Sequence, residues 1–259
     1  MPQLRNIIKK RNQKEESTPE PSVFPMRINK YLAMKNYSTR RGADEFITSG
    51  KVFINGQVAK LGDRVLESDK VEVRYRKKAL PIFSYFAYNK PVGMNTGKEK
   101  DSAKDIVSSL SSDMQKLKLF PVGRLDKDSQ GLIILTNDGR VTDRLLNPKH
   151  EHTKEYEVVT SKPLRANFKE KIEEGIDIEG YKTKPASAKR ITDNKFSIVL
   201  TEGKTHQIRR MVSALFNEVK DLKRTRIMNI RLGTASVGSY RKLEGDELNE
   251  FLKGLGLAE

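Results

Sequence analysis

The sequence contains no cysteine, which excludes disulfide staples, thiolate metal sites and cysteine nucleophiles together. Histidine is nearly as scarce: His150, His152 and His206 are the whole complement. The spacing His150-x-His152 can chelate in principle, but no thiol and few carboxylates accompany it, so no metal site is expected. No apolar run approaches the roughly 20 residues a membrane-spanning helix needs. The N-terminal MPQLRNIIKKRNQKEE has no long apolar core and no small-residue cleavage site, so it does not read as a secretory signal. The expected setting is therefore the cytoplasm, without a membrane partner. Acidic residues are also in deficit: 34 Asp and Glu face 50 Lys and Arg, a formal net charge of +16. That imbalance suits a polyanion, because each phosphate neutralised by Lys or Arg releases condensed counterions. A basic surface that is merely solvated is the plainer alternative.

At 259 residues the chain is long enough for more than one domain. Residues 1–25 are polar, charged and Pro-containing, and read as a disordered basic arm. A compact unit is expected over 26–75. Ile28, Tyr31 and Leu32 recur at helical spacing. Ser38 is a candidate N-cap for a second helix carrying Ala43, Phe46 and Ile47, which Gly50 ends. Asn55-Gly56 between two short alternating runs predicts a hairpin turn with positive φ at both positions. A basic linker is expected over 76–83 and a larger domain over 84–255. In that domain 82–88, 131–136, 154–160 and 195–203 read as strands, and 163–175 and 206–216 as helices. Ile208, Met211, Val212 and Leu215 form the apolar stripe of the last.

The helical half of the small unit carries Arg27, Lys30, Lys35, Arg40, Arg41 and Lys51. With the apolar helix faces turned inward, these cations are expected on an outer surface, where they suit phosphate contact. The text MRINKYLAMKNYSTRRGADEFITSGKVFINGQ, followed by GDRV and DKVEV, resembles the S4 RNA-binding domain. The resemblance implies that folded RNA is met by the two-helix face, through shape and phosphate position more than base reading.

In PVGRLDKDSQGLIILTNDG (121–139) a tight loop at Gly123 precedes Arg124 and Asp126, and Gly131 opens an apolar strand. Residues two apart lie on one side of extended backbone, so Arg124 and Asp126 can act together; a charged turn is the plainer reading. In KEYEV, Lys154, Tyr156 and Val158 face one way, and Tyr156 serves as a core aromatic or a stacking platform. In EGKTHQIRRM a strand ends at Glu202 and Gly203. A helix begins around Thr205, with Gln207, Arg209 and Arg210 near its start. Arginines there bind phosphate, pair with a buried carboxylate, or are simply solvated.

Taken in order, NKPVGM (89–94), GRLDKDSQGLIILTNDG, KEYEV, EGKTHQIRRM and RTRIMNIRLG (224–233) resemble the RsuA family of rRNA-modifying pseudouridine synthases. DSQG and RTRIMN look most like the branch that modifies large-subunit rRNA. The resemblance implies an α+β chain in which the S4-like unit precedes a mixed, largely antiparallel sheet flanked by helices. It implies cofactor-free isomerisation of a flipped uridine in rRNA, with tRNA open as a further substrate. Asp126 would be the catalytic carboxylate, Tyr156 would stack on the base and assist proton removal, and Arg209 would pair with Asp126. Arg124, Lys154, Lys204, Gln207 and Arg210 would contact RNA alongside the cations of the small unit. His206 stands where that branch often has another polar residue, a departure not expected to affect the chemistry. A monomer is expected. The competing reading is an RNA-binding ribosome-assembly factor without catalysis.

Overall fold

The computed structural model describes residues 24–35, 37–38, 40–74, 82–97 and 105–257. The expected arm, but for Phe24 and Pro25, lies outside them, as do linker residues up to 81. The chain divides into two compact units, Met1–Tyr75 and Arg76–Glu259.

The first unit runs β1 (Met26–Arg27), α1 (Ile28–Met34), α2 (Arg40–Thr48), β2 (Val52–Ile54), β3 (Gln57–Val58), β4 (Arg64–Val65) and β5 (Val71–Val73). Strands β3, β2 and β5 form one small antiparallel sheet, and β1 pairs β4. Asn55 and Gly56 take φ of 50° and 83°, the turn geometry that the right-handed strand twist requires. Ile28 and Leu32 of α1 meet Ala43 and Ile47 of α2 and Val52 of β2 in one apolar cluster. Burying those faces turns the basic positions outward: Arg27, Arg40 and Lys51 are exposed and Lys30 is half-buried. Among the described residues none of these four is paired with an acid. Arg41 lies in α2, and its side chain is outside the description.

The second unit begins with β6 (Tyr85–Lys90), α3 (Ser112–Lys116), β7 (Phe120–Val122), β8 (Gln130–Thr136) and α4 (Arg140–Leu146). It continues with β9 (Lys154–Thr160), α5 (Phe168–Glu174), β10 (Ser187–Thr192), β11 (Lys195–Leu200) and α6 (Gln207–Ala214). It closes with β12 (Val219–Ile227), β13 (Ile230–Arg231), β14 (Tyr240–Lys242) and α7 (Gly245–Gly254). Among the described residues one sheet holds all nine strands, in the path β10-β11-β9-β12-β8-β6-β14, with β13 on β12 and β7 on β8. Every pairing is antiparallel except β12 with β8.

Several elements are shorter or shifted relative to the sequence reading. The helix expected over 163–175 starts only at Phe168, because Arg190 Nη2 donates to the carbonyls of Leu164 and Arg165 at 2.8 Å each and holds that stretch extended. The first strand of the unit starts at Tyr85, since the Ser84 N–H is taken by Asn137 Oδ1 at 2.9 Å. The strand expected to reach residue 203 stops at Leu200.

Strand β8 explains the layering. Leu132, Ile133, Ile134 and Leu135 are all fully buried, as expected of a strand covered on both faces. Leu132 and Ile134 join the cluster of α4 and α7, while Ile133 and Leu135 join that of α3. A third cluster lies farther along the sheet, where α5 and α6 cover Val158, Phe196, Ile198 and Leu222.

One side of β8 is shared by two neighbours. At its start Gln130 and Gly131 pair with Lys223 and Arg224 of β12; at its end Ile134–Thr136 pair with β7. The sheet therefore splits beside Leu132, and the loop 123–129 from β7 back to β8 emerges at that split. Only glycine fits the junction. Gly131 has φ of +105°, and a Cβ there would stand 2.3 Å from the Arg224 carbonyl oxygen and 2.7 Å from its nitrogen. Neither is an atom that can swing aside. Gly131→Ala is expected to cost about 3 kcal/mol from overpacking and left-handed strain together, read as a lowered urea midpoint at unchanged m-value; a midpoint equal to wild type would show that β12 yields freely.

Candidate active site

Loop 123–129 is held carbonyl by carbonyl. Arg224 Nη1 donates to the Arg124 oxygen at 3.4 Å. Thr96 Oγ1 donates to the Leu125 oxygen at 2.6 Å and accepts the Leu125 N–H at 3.1 Å. The Ser129 N–H takes the Asp126 oxygen at 3.0 Å, and the Gly93 N–H takes that of Lys127 at 2.7 Å. Arg209 Nη2 takes the Asp128 oxygen at 3.1 Å.

The centre of this arrangement is Lys90, the last residue of β6 and 0% exposed. Its Nζ donates to the carbonyls of Ser129 at 2.7 Å, Asp126 at 3.0 Å, Pro91 at 3.0 Å and Lys127 at 3.4 Å. Three ammonium hydrogens serve four oxygens, so the longest contact is a shared one. Burial pushes the Lys90 pKa down to about 8; the charges of Asp128 and Asp126 oppose the shift, and Arg224 adds to it. A buried ammonium costs several kcal/mol unless oxygen ligands replace its water, and the loop carbonyls supply them.

With its backbone fixed, the loop alternates. Leu125 is buried at 7% exposure, while Arg124 is exposed and the Asp126 side chain is 31% exposed. His206 Nδ1 lies 3.1 Å from Asp126 Oδ2. His206 is the residue before α6 and adopts φ 51°, ψ 28°, a left-handed conformation that costs a non-glycine residue about 1 kcal/mol or more. Arg209 follows about 4.5 Å further along the helix axis. Its Nη2 reaches Asp128 Oδ2 at 3.0 Å and Ser129 Oγ at 3.3 Å, while Nη1 donates to the Val219 carbonyl at 3.2 Å. The expected Arg209–Asp126 pair is therefore not formed. The helix starts too late for it: Arg209 braces the far end of the loop, and the imidazole of His206 occupies the place beside Asp126.

On the sheet side Arg224 of β12 stands directly opposite Tyr156 of β9, and Lys154 is two residues before Tyr156 on the same face. Tyr156 is half-buried against the cluster under α5 and α6. The Lys154 ammonium donates to the His152 carbonyl at 3.2 Å. Burial, and then the charge of Arg224, lowers its pKa.

The family model described as RNA pseudouridylate synthase matches residues 84–214, half of the chain. The chain belongs to that family. The S4 domain model matches residues 26–71. The Dual-specificity RNA pseudouridine synthase RluF of Salmonella typhi is 40% identical over 230 residues, which cover 88% of this chain and 78% of the relative. The Ribosomal large subunit pseudouridine synthase B of Bacillus subtilis is 34% identical over 232 residues, 87% of this chain and 95% of the relative. A solved pseudouridylate synthase superposes with a TM-score of 0.64 at 30% identity, covering 89% of this chain and 99% of that one. The chain is thus an RNA pseudouridine synthase: an S4 domain followed by a mixed-sheet catalytic domain that isomerises uridine in RNA.

Not every residue expected to touch RNA in this synthase is free to do so. Gln207 is buried, donating to Glu202 Oε1 at 2.6 Å and accepting the Lys204 N–H at 2.9 Å. Glu202 also accepts from Tyr181 Oη at 2.5 Å and the Lys184 N–H at 3.1 Å. Arg210 Nη2 donates to the Ile178 carbonyl and to Glu179, each at 2.8 Å. Gln207 is therefore an internal brace, while Arg210, half-buried, ties α6 to the segment 176–184 and has an acid partner already. Lys204 is exposed, its ammonium 4.5 Å from the Tyr181 ring centre. His150 and His152 stack with centroids 5.7 Å apart. The residues missed in the sequence are Lys90, Thr96, His206 and Arg224. Lys90, His206 and Arg224 lay inside quoted motifs without a role of their own, and the approach of His206 to Asp126 needs the left-handed backbone that spacing does not reveal.

Since Lys90 titrates lower in the folded chain than its ordinary 10.5, the unfolded chain binds more protons between about pH 8 and 10.5. Stability relative to Lys90→Met is expected to rise with pH across that window, by up to about 3 kcal/mol. Urea titrations of both proteins at three pH values test this; a difference independent of pH would mean that the group keeps its ordinary pKa.

Proposed function

We propose that the synthase acts on a uridine of large-subunit rRNA, with Asp126 as its catalytic carboxylate and His206 as the group that orients it. The single observation behind this reading is a carboxylate in contact with an imidazole, on a loop whose carbonyls from residue 124 to 129 are all engaged, one of them by Arg224, which stands opposite Tyr156 on the sheet. A stacked uridine shields its C1′, so the nucleotide must leave the RNA stack. Stacking on an aromatic ring such as Tyr156 returns about 1–3 kcal/mol of that cost. A carboxylate beside C1′ then stabilises the positive charge that develops as the N1–C1′ bond breaks. Arg124 and Lys127, exposed on either side of Asp126, suit the phosphates that flank a flipped nucleotide.

The choice of substrate draws on the relatives. One bears large-subunit ribosomal in its name and another the word dual-specificity, so rRNA comes first and tRNA second. No helix among the described residues is long and apolar enough to cross a membrane, in keeping with a cytoplasmic enzyme. The exposed apolar side chains Ile191, Phe216 and Val237 belong to separate segments, which favours a monomer.

Asp126→Asn is expected to lower turnover at least about a thousandfold while RNA affinity stays within twofold. His206→Asn is expected to lower kcat about tenfold, one lost charge-assisted contact of about 1.4 kcal/mol, again at unchanged affinity. Pseudouridine mapping of rRNA and tRNA, from cells with and without the protein, identifies the target; normal turnover by Asp126→Asn would refute the assignment. In the S4 domain the double variant Lys30→Glu, Arg40→Glu should weaken RNA binding across all sequences and flatten its salt dependence, with kcat preserved. An unchanged salt slope would place RNA on another surface.

A further inference from the structure

Arg224 is a guanidinium inside a sheet. It is 4% exposed, and its position is dictated by the split in β8: Nε donates to the Leu132 carbonyl at 2.7 Å, the oxygen left between the pairings with β12 and β7, and Nη1 reaches the Arg124 carbonyl. Its third nitrogen, Nη2, is buried and has no hydrogen-bond partner among the described residues. Lys154, on the same face, has one carbonyl as its partner, that of His152 just before its strand. Two cations with unused donors thus flank Tyr156, at the root of the loop that carries Asp126, and no carboxylate is bonded to either. A buried donor left without a partner is a standing destabilisation; Arg224 Nη2 is one such donor, and with the Lys154 ammonium beside it, bonded to a single carbonyl, the pair calls for a ligand that completes them.

We infer that Arg224 and Lys154 hold the carbonyl oxygens of the flipped uracil and carry the negative charge that the ring gains during the reaction. This rests on the synthase reading. When N1–C1′ breaks, the bonding electron pair stays with N1 and spreads onto O2 and O4, while C1′ becomes the positive centre that faces Asp126. The freed ring turns, C5 supplies the electron pair that forms C5–C1′, the C5 proton leaves and N1 takes up a proton. Nothing is oxidised or reduced, and the product is an isomer. The ring is most anionic while detached from C1′, after N1–C1′ has broken and before C5–C1′ forms, and fixed donors in a dry site act most strongly there. Backbone phosphate is a poorer match for a guanidinium that is 4% exposed, since a phosphodiester is bulkier and more strongly hydrated than a planar uracil.

The test is single-turnover conversion of an RNA fragment bearing the mapped target as uridine, 2-thiouridine or 4-thiouridine. Sulfur is the poorer hydrogen-bond acceptor. Arg224→Lys and Lys154→Met are expected to slow the chemical step 10- to 100-fold, with the RNA Kd within twofold. At least one thio substitution should slow the wild type yet add little to a variant, the non-additivity of a shared contact. Wild-type rates in both variants, fully additive thio effects, or lost affinity at an unchanged chemical step would each overturn the inference. Should Arg224→Lys fail to fold, Lys154→Met decides alone, because the Lys154 ammonium has one hydrogen bond to lose, to the carbonyl two residues before it. A wild type that makes no pseudouridine in any RNA would overturn the synthase reading itself, an outcome distinct from an active wild type with indifferent variants.

Discussion

The buried ammonium of Lys90 is the contact on which the rest of the site depends. A loop between two strands ordinarily sheds its carbonyls into water and moves with them. Here the carbonyls of residues 126, 127 and 129 converge on one cation, and Thr96, Arg209 and Arg224 take those of residues 125, 128 and 124. In the proposed role of Asp126, a carboxylate that meets one carbon atom of a nucleoside gains from a backbone with little left to reorganise, because misplacement by about 1 Å costs orders of magnitude in rate. The lowered pKa of Lys90 records the strain of keeping a cation dry for that purpose.

The second constraint is topological. The only parallel pairing among the described strands, β12 with β8, lasts for two residue pairs and ends where β7 takes over the same side of β8. Such a junction leaves backbone oxygens without strand partners and opens a gap in the sheet. Arg224 fills the gap from β12, and Gly131 allows β12 to come close enough for it to do so. One junction thus sets three positions: the end of the catalytic loop, the buried guanidinium and, across the ladder, Tyr156.

Electrostatics divides between the two units by depth. In the S4 domain Arg27, Arg40 and Lys51 sit outside an apolar cluster, exposed and without an acid partner among the described residues, as suits screened, sequence-independent phosphate contact. In the catalytic domain several are drawn inward and given specific partners: Arg209 with Asp128, Arg210 with Glu179, Arg226 with Glu155. The net charge of +16 therefore overstates the surface available to RNA.

Much of this was legible before any coordinates. The hairpin at Asn55-Gly56, the buried run 131–136, the strand 154–160 and the stripe of α6 follow from turn chemistry and periodicity, which are local. The ordered motifs indicated the family, and the family match agrees with it; they also put Asp126, Tyr156 and Arg209 forward as one site, which stays a proposal. The partner of Asp126 was not legible. Arg209 was the natural choice by charge, yet the left-handed turn at His206 hands the contact to a histidine and sends Arg209 one step along the loop. Nor did the sequence disclose Lys90, which looks like an ordinary charged strand end until the loop folds over it, or Arg224, whose role exists only because two strands part beside it. Gln207 and Arg210 read as surface groups, yet Gln207 is buried against Glu202 and Arg210 is tied to the Ile178 carbonyl and Glu179. By itself the sequence determined the elements, the apolar faces and the reaction class, since those depend on neighbours within a few residues and on ordered motifs. Tertiary structure alone decided which side chain meets which, because those contacts join residues up to 100 positions apart, and distances of a few ångströms across strands leave no trace in spacing along the chain.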